Sequence, residues 1–132
     1  MKKKILIVMA DYYETISKGL LHNTKKVLQE QFDLISVPGV FEIPVTIAKN
    51  IKKYDGFIAL GCVIKGETPH FDIISKAAID GIMKLSIEYK KPIGNGIITC
   101  LNLKQAIARQ KKGQEAAAAL LSVLDPVNVS AE

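Results

Sequence analysis

The chain has 132 residues, of which 48% are hydrophobic and 23% charged, with a net charge of +5. This composition supports one domain with a buried core and excludes a disordered polyelectrolyte, and no apolar run reaches the roughly 18 residues that a membrane span needs. All but one of the 18 basic residues are lysine, and the interleaved arginines and aromatics of a nucleic-acid surface are absent.

In chain order, the first expected element is a strand over residues 4–9. Its lysine-rich start superficially resembles a signal peptide, but the apolar part stops at Ala10 before Asp11. That is too short for a secretory core with a cleavage site, so a cytoplasmic protein is expected. A helix over 16–31, a strand over 34–37, a helix over 44–53 and a strand over 56–64 follow. The third helix spans about 69–89, where Ile73, Ile74, Ala77, Ala78, Gly81, Ile82 and Leu85 recur at the spacing of one helix face. A strand over 92–99 and a helix over 103–124 complete the set, with Gly113 as the candidate point of interruption. Residues 125–132 are expected to form a frayed tail on a single domain covering 1–132. Strands alternating with helices at this spacing imply right-handed βαβ units. The expected fold is a flavodoxin-like three-layer α/β/α sandwich with a central four-stranded parallel sheet.

In such a sheet, ligands bind beyond the carboxyl ends of the strands, near the point where strand order reverses. Three unusual loops open on that edge: Asp11-Tyr12-Tyr13, Pro38-Gly39-Val40-Phe41-Glu42, and Lys65 to His70. Tyr12 and Phe41 offer flat surfaces for an aromatic ring and Glu42 offers an acceptor; equally, they could close the core rim and carry a solvated charge. Gly66 permits an unusual backbone conformation, and Glu67 and Thr68 supply amides at a helix start. Thr68 followed by Pro69 reads as a cap and a first helical residue, which places His70 in the first turn. A titratable group beside amides that can hold an anion suits proton transfer on a phosphorylated substrate; the plainer alternative is a surface histidine on a well-capped helix. Arg109, the sole arginine, suits phosphate through its planar fork unless it simply faces solvent. Cys62 and Cys100 lack metal-ligand spacing and read as buried thiols, and His22 reads as structural.

At these residues the chain resembles the 6,7-dimethyl-8-ribityllumazine synthase family, over nearly its whole length from about residue 5 to 124. The most specific segments are Pro38-Gly39-Val40-Phe41-Glu42-Ile43-Pro44 and Leu60-Gly61-Cys62-Val63-Ile64-Lys65-Gly66-Glu67-Thr68-Pro69-His70-Phe71-Asp72. Gly94-Asn95-Gly96-Ile97-Ile98-Thr99 and Lys112-Gly113-Gln114-Glu115-Ala116-Ala117 follow in order. The resemblance implies condensation of 5-amino-6-(D-ribitylamino)uracil with 3,4-dihydroxy-2-butanone 4-phosphate, the penultimate step of riboflavin biosynthesis, with no metal and no organic cofactor. It implies that Tyr12 stacks on the pyrimidine, that Val40, Phe41 and Glu42 hold the ribityl chain and ring edge, and that Cys62, Val63 and Ile64 present backbone groups to the uracil. It implies a phosphate pocket of Glu67, Thr68, Arg109 and Lys112, proton transfer by His70, and a site completed by Asn95 and Arg109 of a neighbouring subunit, Asn95 reaching the pyrimidine. A homopentamer with shared sites is the implied assembly, and no membrane or nucleic-acid partner is expected.

The chain departs from the family pattern in three places. Lys65 stands where the family has arginine, few residues precede the first strand, and the segment from Arg109 to Lys112 is shorter than usual. A non-catalytic flavin or lumazine carrier on the same scaffold is the main alternative. It is disfavoured because an unphosphorylated ligand requires neither the Gly66-Glu67-Thr68 loop nor Arg109. An electron-transfer flavodoxin should carry a hydroxyl- and glycine-rich loop where this chain has Ala10-Asp11-Tyr12-Tyr13-Glu14, and a receiver domain should carry clustered acids there.

Overall fold

The strand β1 (Ile5–Ala10) is buried along its entire length, as its unbroken run of apolar residues requires of a strand covered on both faces. The computed structural model describes residues 2–127. Around β1 stand β2 (Phe32–Val37), β3 (Gly56–Ile64) and β4 (Ile93–Cys100), all parallel in the order β2-β1-β3-β4. The expected four-stranded parallel sheet and its three-layer sandwich are therefore borne out.

The pleat divides β1 between two cores. Ile5, Ile7 and Met9 join Ile16 and Leu20 of α1 (Glu14–Val27) and Ala116, Ala117 and Leu120 of α5 (Lys112–Leu124). Leu6, Val8 and Ala10 join Ile43 and Ile47 of α2 (Ile43–Asn50) and Ala78 and Ile82 of α3 (His70–Tyr89). The chain moves one way along the sheet from β1 to β2 and the other way from β2 to β3 and on to β4. Crossovers of one hand then put α1 on the face opposite α2 and α3. α5 lies close on α1: a methyl group on Gly113 would overlap the Leu20 carbonyl oxygen. Thr24 Oγ1 adds a 3.2 Å hydrogen bond to the Gly113 carbonyl, and Gln114 Nε2 donates to Asn23 Oδ1 at 2.7 Å.

Element ends shift relative to the sequence reading. α1 begins at Glu14 and stops at Val27, so β2 starts at Phe32. Val40–Glu42, taken as loop, forms a 3₁₀ turn leading into α2. The expected last helix is two helices, α4 (Leu103–Ala108) and α5, parted at Arg109–Lys111 rather than at Gly113. Gly113 sits inside α5 because its missing side chain admits α1, not because it breaks the helix. Of the expected tail, residues 128–132 lie outside the described residues. No helix among the described residues is long and apolar enough to cross a membrane.

Candidate active site at the carboxyl edge of the sheet

The reversal of strand order falls between β1 and β3, and here β3 outruns its neighbour. Pairing with β1 ends at Met9–Leu60, whereas β4 follows β3 to Ile64–Cys100. Residues 61–64 thus extend beyond β1 with one backbone edge free of strand pairing. Strand amides and carbonyls left this way are ready to pair with a planar ligand. The segment Asp11–Tyr13 leaves β1 beside this free edge. Asp11 N–H donates to the Val37 carbonyl at 2.9 Å, and Ser36 Oγ donates to Asp11 Oδ2 at 2.7 Å, tying the segment to the end of β2. Ser17 Oγ donates to the Ala10 carbonyl from the other side.

Aromatic surfaces flank the opening. Tyr12 is 76% exposed and Phe41 60% exposed, large values for apolar rings in a folded domain. Val40 is buried and packs where Gly61 lacks a side chain, since a methyl there would come within 2.6 Å of Val40 Cγ1. The 3₁₀ turn is thereby held against the end of β3. Glu42 Oε1 accepts from Gly39 N–H at 3.0 Å, which fixes the carboxylate over its own turn. Phe41 and Glu42 also line a shallow recess of about 350 Å³ with Pro44, Val45, Ala77 and Ala78. A wider depression of about 1500 Å³ lies at the opposite, amino edge of the sheet, among residues such as Lys4, Phe32 and Lys53. It contains none of the candidate residues.

Beyond β3 the chain runs exposed from Lys65 to His70, anchored where Lys65 N–H donates to the Cys100 carbonyl at 2.8 Å. Two expectations need correction here. The helix begins at His70 with Pro69 as its cap residue, because Pro69 has φ −70° and ψ 5° and its carbonyl accepts from Asp72 and Ile73. Thr68 Oγ1 stands 3.4 Å from the His70 amide, too long for a strong cap. Gly66 does not use a positive φ; instead, nothing lies within 4 Å of where a side chain would stand, so its backbone is open to approach. Among the described residues, the Glu67 and Thr68 amides meet no protein acceptor.

Buried Cys62 and Cys100 share one core, on neighbouring strands, as free thiols. Burial pushes the Cys62 thiol up to about 12, with Cys100 adding to the effect. Arg109 follows α4, and its Nη1 donates to the Thr99 carbonyl at 3.0 Å near the carboxyl end of β4. Lys112 stands 3.7 Å from Glu115 on the first turn of α5. Asn95 is placed differently. It pairs with Ala59 inside the edge strand β4 and its Oδ1 accepts from Ile97 N–H at 3.0 Å. Five residues of strand, about 16 Å, separate it from Cys100 at the carboxyl edge. One chain therefore gathers Tyr12, Val40, Phe41, Glu42, Cys62, Val63, Ile64, Glu67, Thr68 and His70 at adjacent strand ends, sets Arg109 against the carboxyl end of β4, keeps Lys112 on the helix that packs against α1, and leaves Asn95 away from the group.

Sequence reasoning passed over Tyr13, which is half-buried with its ring centroid 4.9 Å from that of Tyr12 and the planes at 78°. Adjacency of two aromatics at a strand end was the available signal. Burial raises the Tyr13 phenol above its ordinary pKa, with Tyr12 and Cys62 adding to the shift.

Comparison with known proteins bears on these loops. The family model described as 6,7-dimethyl-8-ribityllumazine synthase matches residues 2–128. The chain belongs to that family. A protein of Bartonella bacilliformis named 6,7-dimethyl-8-ribityllumazine synthase is 46% identical over 118 residues, covering 84% of this chain and 78% of its own length. Proteins of the same name from Agrobacterium fabrum and Bartonella tribocorum are 42% and 44% identical, each covering 94% of this chain, and 94% and 91% of their own lengths. Membership in the lumazine synthase family thus extends over all the elements that carry the site.

Proposed function

We propose that this chain is an active lumazine synthase, condensing 5-amino-6-(D-ribitylamino)uracil with 3,4-dihydroxy-2-butanone 4-phosphate to give 6,7-dimethyl-8-ribityllumazine, phosphate and water. The observation that carries this reading is the unpaired edge of residues 61–64, flanked by Tyr12 just beyond β1 and by Phe41 beyond β2, in a chain of this family. A flat, hydrogen-bonding heterocycle fits between an aromatic face and such an edge.

Tyr12 stacks on the pyrimidine while Cys62, Val63 and Ile64 pair with its polar rim. Val40, Phe41 and Glu42 hold the ribityl chain, Glu42 accepting from its hydroxyls with carboxylate capacity left beyond the Gly39 bond. The free Glu67 and Thr68 amides take the phosphate at the start of α3, where the helix dipole favours an anion. Lys112, and Arg109 contributed from an adjacent subunit, complete its charge balance. The substrate amine attacks the ketone and loses one water to form an imine, phosphate is eliminated, and the ring closes with loss of a second water. His70, in the first turn of α3 beside the phosphate, moves protons in these steps. Positioning two substrates supplies on the order of 7–11 kcal/mol in well-aligned systems, against about 10²–10⁴-fold for one acid/base group. Orientation therefore carries more of the rate than His70 does.

Asn95 lies away from this group, so its contact with the pyrimidine is made in a neighbouring subunit of a homopentamer. Apolar side chains left outside, among them Ile73, Ile87, Leu103 and Ile107, each more than half exposed, support an assembly that covers them. The protein acts in the cytoplasm. The test is to mix purified protein with both substrates and follow lumazine absorbance and fluorescence against a control without protein. Turnover above the spontaneous reaction is expected; a rate equal to the control overturns the proposal. Sedimentation should give about five times the 14.4 kDa chain mass.

A further inference from the structure

We propose that Tyr13 is a positioning residue that holds the Tyr12 ring in the orientation that receives the pyrimidine substrate, an inference that rests on the synthase reading above. Tyr12 is 76% exposed, and a ring so open has several rotamers available unless a neighbour selects one. Tyr13 supplies that neighbour. The two rings meet edge to face, with centroids 4.9 Å apart and planes at 78°, within the preferred geometry of aromatic pairs.

Tyr13 is itself immobilised from three directions. Its ring packs against the core cluster that contains Met9, Ile16 and Cys62. Its carbonyl accepts from Ser17 N–H at 2.9 Å, and it is the N-cap residue of α1. The segment it belongs to is tied to β2 by the bond from Asp11 N–H to the Val37 carbonyl and to α1 by the bond from Ser17 Oγ to the Ala10 carbonyl. The exposed ring thus rests on a fixed one, and the cost of ordering it is met before substrate arrives.

The pair is unequal in a way that assigns the roles. Tyr12 faces outward and is 76% exposed, whereas Tyr13 is half-buried and packs against the core. Tyr13 therefore acts on the substrate through Tyr12. Its contribution should be lost with the ring and kept without the hydroxyl.

The experiment compares Tyr13→Phe, Tyr13→Leu and Tyr13→Met, with Tyr12→Leu as the reference. Steady-state kinetics are taken with each substrate varied, and riboflavin, as a ring probe, is titrated by quenching of its fluorescence. Tyr13→Phe should keep the KM for the ribitylaminouracil within about twofold. Tyr13→Leu and Tyr13→Met should raise that KM by about two- to tenfold, the worth of one aromatic pair, and weaken riboflavin quenching similarly. The KM for the phosphorylated ketone should stay unchanged in all three. Equal increases in both KM values, or no change in the pyrimidine KM for whichever ring-deleted variant folds, overturns the proposal. Tyr12→Leu separates this outcome from failure of the underlying reading. If Tyr12→Leu raises the pyrimidine KM and the Tyr13 variants do not, Tyr12 is the platform without a positioning partner. If neither position affects the pyrimidine, the platform itself is wrong.

Discussion

Gly113 of α5 and Leu20 of α1 approach so closely that no larger residue than glycine fits at position 113 without moving one helix. The obstructing atoms are the Leu20 carbonyl oxygen and the Thr24 backbone nitrogen, with the Thr24 hydroxyl beside them, and backbone cannot rotate aside as a side-chain tip can. Gly113→Ala should destabilise the fold by about 1–3 kcal/mol through overpacking, even though alanine favours helix. Urea denaturation checks this. A neutral or stabilising result would mean that α1 and α5 slide apart without penalty.

His70→Asn should lower kcat about 10²-fold, the lower end for loss of a positioned acid/base group, while leaving turnover well above the spontaneous rate. Both KM values should change little. Loss of all activity in a folded variant that still binds both substrates would show that proton transfer, not orientation, dominates.

Arg109→Ala should raise the KM for the phosphorylated ketone about tenfold or more, as expected for removal of a charge-assisted donor, with little effect on the pyrimidine KM. Its guanidinium is already oriented by the Thr99 carbonyl at 3.0 Å, so Arg109→Lys should recover only part of the loss. Equal effects on the two substrates would remove Arg109 from the phosphate pocket.

The Cys62 thiol is held neutral by burial, its pKa pushed from 9.0 to about 12. Because the folded state keeps its proton more tightly than the unfolded chain, this contribution to stability is complete below pH 9 and is lost as pH rises toward about 12. Denaturation midpoints measured across that range should fall more steeply for the native chain than for Cys62→Ala. At pH 8 neither Cys62 nor Cys100 should react with iodoacetamide until the protein is unfolded, since the thiolate is the nucleophile and both side chains are buried.

Ser75 has a buried hydroxyl that meets no hydrogen-bond partner among the described residues. Ser75→Ala removes an unsatisfied group of the kind that costs about 1–3 kcal/mol, so thermal stability should hold or rise. A clear loss of stability would mean that the hydroxyl is satisfied in solution.

The sheet and its order of helices were legible because apolar spacing switches cleanly between the runs at β1 and β3 and the helical period of α3. The motif loops fell at adjacent strand ends for the same reason: parallel strands put all their carboxyl ends on one edge. What escaped detection depends on contacts distant in sequence. Gly113 carries the same letter whether it ends a helix or admits another, and only Leu20 decides between them. The four-residue overhang of β3 over β1 cannot be read from β3 alone, because it is set by where β1 turns away at Asp11. Pro69 as cap rather than first helical residue is a one-residue difference that local propensity does not resolve.

The central place of β1 also sets a timetable for folding. Its second partner begins 51 residues later in the chain, at the Ile5–Gly56 register. Ribosomal synthesis at about 5–20 residues per second therefore leaves one side of an entirely apolar strand without its neighbour for several seconds. Contacts of such long range also form slowly in refolding from denaturant. The greatest exposure to misassociation thus falls before residue 64 has emerged, and substitutions that weaken the β1–β3 pairing should lower the soluble yield more than they lower the stability of molecules already folded.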